Sequence, residues 1–279
     1  MTSFGERLRS AVDAHGRLCV GIDPHASLLA EWGLDASAAG VREFGLRVVE
    51  ASAGAVGIVK PQVSFFEPYG SAGIAALEDV MRAARDAGLL VLADAKRGDI
   101  GSTMDAYGAA WLTPGSPLEA DAMTVSPFLG VGALEGTFEI AERGGKGVFV
   151  LAATSNPDGR ALQGAALSDG RTVSAGIVAE VSARNARTTP EGEWASLGFV
   201  VGATVDWQQA GLTAFAPPAP ILAPGFGFQG ADAGDLDRRF GEAAPLVIAS
   251  ESRSILSAGP GGIAARVAER AEQYARVDV

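Results

Sequence analysis

Eight short apolar runs recur along the chain, and each ends in small or polar residues. They are "LCVGID" (18–23), "AVGIVKPQ" (55–62), "LLVLADAK" (89–96), "AMTVSP" (122–127), "GVFVLAAT" (147–154), "LGFVVGAT" (197–204), "PILAPGFG" (220–227) and "PLVIAS" (245–250). Val/Ile/Leu runs without alternation suit strands buried on both faces, as in parallel sheets. Most are separated by segments of helical composition, such as 71–87, stopped by Gly88, and 172–188. Strand alternating with helix makes βαβ units. Eight of them predict an α/β fold, a single (β/α)8 TIM barrel forming one domain over residues 1–279. A doubly wound open sheet is the alternative, and the count of eight disfavours it. The segment 205–219 offers little room for a helix, while 155–159 and 186–193 read as surface loops.

The formal charge of −11, with no basic run against it, excludes a nucleic-acid polymer or an anionic membrane as partner. A small anionic ligand needs only a local positive pocket. Cys19, the one cysteine, has no internal disulfide partner and sits in an apolar stretch, so a buried thiol in a reducing cytoplasm is expected. No charged-then-apolar leader opens the sequence, and no apolar stretch approaches membrane-spanning length. The expectation is a soluble cytoplasmic protein.

In a parallel barrel, chemistry sits at the C-terminal ends of the strands. Those ends here carry Asp23, Lys60 and Gln62, Asp94 and Lys96, Ser126, Thr154, Thr204, then "PGFGFQG" (224–230) and "SESRS" (250–254). Asp94 and Lys96 are two residues apart on a strand and should both face the interior, where charge is costly unless paired. Lys60 ends the neighbouring strand at the same height, and Asp99 lies past the turn at Gly98. Asp99 could aim back at Lys96, at another lysine, or at a neighbouring subunit. Arg97 points away from the group. Two readings stand for this array: an ion-pair network closing the barrel mouth, or a catalytic centre. Ser102 or Thr103 can cap the next helix, with Ser102 favoured. The glycine-rich 224–230 stretch and Arg253, after strands seven and eight, fit a phosphate site, the alternative being a flexible loop beside a surface arginine. His25 could serve chemistry or face solvent, and His15 is solvated. Two histidines and one cysteine offer no metal-ligand spacing, and neither a P-loop nor a catalytic Ser/His/Asp arrangement can be built.

"DAKRGDIGST" (94–103), with "GIDPH" (21–25), "VKPQ" (59–62), "PGFGFQG" (224–230) and "SRSI" (252–255), resembles the orotidine 5′-phosphate decarboxylase family. The longer bacterial subgroup is nearest, through "ATSNPDG" (153–159) and "VVGAT" (200–204) as well. Two positions depart from the pattern: Ser126 stands where many relatives of that subgroup carry Asn, and Ser252 where short forms carry Gly. The resemblance implies a homodimeric barrel that converts orotidine 5′-monophosphate to UMP and CO2 in pyrimidine biosynthesis, with no cofactor and no metal. It implies Lys96 as proton donor to C6 of the pyrimidine and Asp94 beside the substrate carboxylate. Lys60 would hold Asp94 and a ribose hydroxyl, and Asp23 another ribose hydroxyl. Asp99 and Thr103 would enter the neighbouring subunit's site. Ser126 would meet the pyrimidine edge, and Gln229 with Arg253 would hold the phosphate under a closing loop around 226–240. The rivals are a magnesium-dependent sister enzyme acting on a sugar phosphate, a Schiff-base aldolase using Lys96 or Lys60, and a non-catalytic nucleotide binder.

Overall fold

Eight parallel strands close on themselves: β1 (Leu18–Ile22), β2 (Ile58–Pro61), β3 (Leu90–Arg97), β4 (Ala122–Val125), β5 (Gly147–Ala153), β6 (Leu197–Val201), β7 (Ile221–Pro224) and β8 (Val247–Glu251). Each pairs with the next, and β8 pairs with β1. The computed structural model describes residues 2–228 and 230–275. The run count therefore predicts the architecture correctly, and the open sheet is excluded.

The lack of alternation has a direct cause. One side chain from every strand, namely Cys19, Ile58, Leu92, Ala122, Phe149, Val200, Leu222 and Ile248, forms an apolar layer inside the barrel. Their neighbours, such as Val20, Val59, Val91, Val247 and Ala249, face the surrounding helices. Both faces of each strand are thus removed from water.

Beneath that layer the helix Phe4–His15 closes the bottom of the barrel. Phe4 is fully buried, and its ring meets Phe149 edge-on at 6.1 Å between centroids. Gly147 makes room for it, because a Cβ there would collide with the Phe4 ring. Arg7 on the same helix pairs with Asp121 at 2.7 Å, and Asp121 in turn accepts from the Val91 amide at 3.0 Å.

The helix Gly70–Asp86 stops where Gly88 takes a left-handed φ of 79°, as expected for 71–87. The helix Val173–Asn185 opens with Thr172 accepting from the Ala175 amide at 3.0 Å, and ends before the expected loop 186–193. Over 205–219 only the single turn Trp207–Ala210 forms. In place of a full helix, Phe215 packs on Phe199 of β6 at 4.6 Å, and Trp207 stacks on Phe215 at 5.6 Å. The loop expected at 155–159 contains one short 3-10 turn, Pro157–Gly159.

Ser102 does not cap the helix after β3. That helix runs Gly101–Leu112 with Ile100 at the cap position, so Ser102 lies inside the first turn. Asp99 instead accepts from the Ile100 amide at 2.8 Å. Among the described residues, no helix is long and apolar enough to cross a membrane.

Phe4→Ala is expected to lower unfolding stability by about 3–5 kcal/mol in a urea titration, and a loss below about 1 kcal/mol would show that the bottom plug is dispensable.

Candidate active site

Going two residues up each strand from the apolar layer carries an interior position toward the open mouth, and there the residue type changes. Ile58 gives way to Lys60, Leu92 to Asp94, Ala122 to Thr124 and Ile248 to Ser250. Asp94 is the hub of this polar tier. Lys60 Nζ donates to its Oδ2 at 3.1 Å, Lys96 Nζ to its Oδ1 at 2.6 Å, and Thr124 Oγ1 to the same Oδ1 at 2.9 Å. The Lys60 and Asp94 side chains are 6% and 9% exposed, whereas that of Lys96 is 45% exposed. Burial alone would raise the Asp94 carboxyl, but the charges of Lys60 and Lys96 outweigh it and hold the group at about 2. Burial alone would lower the Lys60 ammonium. Asp94, then Asp23, reverse that effect and push it above its ordinary value. Cys19 is buried, as its apolar setting led us to expect, and that burial raises its thiol to about 12.

Lys96 reaches Asp94 by a different route from simple alternation along the strand. Its φ is 46°, in the left-handed region that a side chain avoids, and the pairing of β3 with β4 slips between Ala93 and Arg97. The Lys96 amide donates to Thr124 Oγ1 at 2.9 Å, which anchors this unusual backbone. Such a conformation costs of order 1–3 kcal/mol and persists only where its surroundings impose it. Arg97 leaves the cluster, as expected, to pair with Glu67 and lie over the Tyr107 ring at 5.7 Å.

The rest of the wall comes from β1, β7 and β8. Ser252 Oγ donates to Asp23 Oδ2 at 2.6 Å, while Asp23 Oδ1 is buried with no hydrogen-bond partner among the described residues. His25 packs on Phe65 at 4.1 Å and also lines the cavity. The run 220–227, read as strand, stops at Pro224, because Gly225 (φ 114°) and Gly227 (φ 70°) take conformations that other residues rarely adopt. Arg253 opens the short helix after β8 and lies over the Phe228 ring at 4.2 Å. Together these residues surround a cavity of about 380 Å³ that holds Asp23, Lys60, Asp94, Lys96 and Arg253, with Val200, Leu222 and Phe226 as its apolar side.

Asp99, Thr103 and Ser126 are not among the residues lining this cavity. Asp99 lies in the turn after β3 and Thr103 in the first turn of the helix Gly101–Leu112, and the Ser126 amide donates to the Arg97 carbonyl at 2.7 Å. Gln229 lies outside the described residues. Thr124 escaped notice in the sequence, and Ser252 stood out there only as a departure from the family pattern. The sequence shows only a polar residue inside the run "AMTV"; the pairing of Ala122 with Leu92 in the structure is what sets Thr124 level with Asp94. Among the described residues, no group of three or more His, Cys, Asp or Glu side chains is placed to hold a metal ion.

The position of Asp94 carries a pH dependence. Its carboxyl sits at about 2 in the folded chain against an ordinary 3.8, so the unfolded chain takes up this proton first as pH falls. The stabilisation is complete above about pH 4 and disappears toward about pH 2, an effect of about 2 kcal/mol. In Asp94→Asn the fall in unfolding free energy across that window should be smaller by this amount. Equal falls in both proteins would contradict the pairing.

A profile of the Orotidine 5′-phosphate decarboxylase / HUMPS family matches residues 16–267, which include all eight strands. The orotidine 5′-phosphate decarboxylase of Salinispora tropica is 53% identical over 266 residues, covering 95% of this chain and 94% of that protein. That of Corynebacterium glutamicum is 50% identical over 258 residues, covering 92% of each. A crystal structure described as that enzyme from Streptomyces avermitilis superimposes with a TM-score of 0.92 at 47% identity, over 98% of this chain and 95% of the other. With a profile match across the whole barrel and relatives identical at half their positions, the chain belongs to the orotidine 5′-phosphate decarboxylase / HUMPS family.

Proposed function

We propose that this chain decarboxylates orotidine 5′-monophosphate to UMP and CO2, using the Lys60–Asp94–Lys96 array and no cofactor. The observation that carries the mechanism is a half-exposed ammonium, Lys96, held at 2.6 Å by a buried carboxylate. Loss of CO2 breaks the bond from C6 to the carboxyl carbon and leaves the electron pair on C6, with no electron sink in the ring. A fixed cation beside C6 stabilises that developing charge. Lys96 then gives its proton to C6 and recovers one from solvent.

Asp94 sits beside the departing carboxylate and fixes Lys96, while Lys60 keeps Asp94 ionised. Lys60 and Asp23 hold ribose hydroxyls, and the unpartnered Asp23 Oδ1 supplies an acceptor for one of them. Ser126, at the end of β4, takes the pyrimidine edge. Arg253 and Gln229 hold the phosphate, and Phe228, 63% exposed over the Arg253 guanidinium, belongs to the loop that covers it. Binding energy gathered at that remote group can serve the reacting centre.

The working unit is a cytoplasmic homodimer, in which Asp99 and Thr103 enter the partner's site. Both lie at the barrel mouth but outside this chain's own cavity, beside the 62% exposed Ile100. A magnesium-dependent lyase on a sugar phosphate would need an acidic residue where this chain has Lys60, which argues against that reading.

Loss of orotidylate ultraviolet absorbance provides the test. Turnover is expected to be unchanged by EDTA and to fall by roughly 10³-fold or more in Lys96→Ala, as for removal of a principal proton-transfer and electrostatic group. Full activity in that variant would refute the assignment.

A further inference from the structure

One charged group near the mouth is left out of the chemistry above. Glu251 ends β8, two residues before Arg253, and is 1% exposed. Its neighbour Ser250 faces the cavity, so Glu251 faces the helix layer. There it pairs with Arg270 through both oxygens, one of those contacts at 3.0 Å, and accepts from Tyr274 Oη at 2.6 Å. It also accepts from Ser254 Oγ at 2.7 Å, and Arg266 holds the Ser254 carbonyl at 2.9 Å. The loop after β7 meets the same cluster. A Cβ on Gly227 would come within 2.5 Å of Ser254 Oγ and 3.0 Å of Glu251 Oε2, and Phe226 packs against Tyr274 at 5.8 Å.

We propose that Glu251 is a positioning residue: it clamps the turn carrying Arg253 and the Gly227 loop to the helix Gly259–Gln273 and so presets the phosphate site. The proposal rests on the reading of Arg253 as the phosphate ligand. A buried ion pair is a weak source of stability, and well-packed apolar residues would often serve as well. What such a cluster does supply is fixed geometry, because every lone pair of the carboxylate has a directed donor. The three donors reach it from two separate elements. Ser254 sits on the turn of Arg253, while Arg270 and Tyr274 lie at the far end of the C-terminal helix. Residues distant from the pyrimidine would thereby govern how tightly the phosphate is held.

The test compares kcat/KM for orotidine 5′-monophosphate with that for orotidine, the same nucleoside without phosphate. Glu251→Gln is expected to lose roughly tenfold or more on the nucleotide, mainly through KM, and several times less on the nucleoside. Ser254→Ala and Tyr274→Phe each remove one of the hydrogen bonds to Glu251 and should show the same selectivity with smaller losses, which keeps the test valid if Glu251→Gln folds poorly. Losses equal on both substrates in all three variants, or absent on the nucleotide, overturn the clamp. Arg253→Ala separates the two layers of the proposal. Phosphate-selective loss there without it in the Glu251, Ser254 and Tyr274 variants refutes the clamp alone. No selective loss in Arg253→Ala refutes the phosphate reading and the clamp with it.

Discussion

A carboxylate inside a barrel must be neutralised where it stands, and the arrangement of the mouth follows from how Asp94 meets that requirement. Burial works against its charge, and Lys60 and Lys96 on either side outweigh that penalty. Lys60 is itself buried and stays an ammonium because Asp94 and Asp23 face it. Neither group could be placed there alone without losing its charge, so the pair forms a single unit contributed by adjacent strands. Lys96 is the member with freedom to act: it shares the same carboxylate but keeps nearly half its side chain accessible to the cavity.

The barrel supplies this unit through vertical order. Phe4 and the eight-residue apolar layer fill the lower half, and the cavity opens above them, with Val200 and Leu222 of that layer forming part of its floor. A chain of net charge −11 attracts a nucleotide bearing a phosphate and a carboxylate only if cations are gathered locally. Lys60 and Lys96 line the cavity from β2 and β3, and Arg253 lines it from the turn after β8. Under the proposed function, this placement would let one end of the ligand anchor while the other reacts, a division of labour that raises turnover as well as affinity.

The fold and most of the site were legible because burial and strand period leave marks in the residue order. Runs such as "GVFVLAAT" announce two-sided burial, and polar residues at their ends identify the mouth. The backbone of Lys96 was not legible, since nothing in "ADAKRGD" distinguishes a left-handed lysine from a regular one. Its conformation depends on Thr124, which comes from another strand. The helix start after β3 was misread for a similar reason, as Asp99 rather than Ser102 satisfies a local amide there. The segment 205–219 lacked a helical pattern because an aromatic cluster, Trp207 with Phe215, covers β6 instead.

The central claim is geometric: Lys96 faces the reacting carbon while Arg253 faces the phosphate. A crystal structure of the chain with UMP measures this directly. The account requires Lys96 Nζ within about 3.5 Å of C6, the near-attack range, with the Arg253 guanidinium on the phosphate oxygens. A nucleotide bound with its phosphate toward Lys96, or with C6 far from that ammonium, would contradict it.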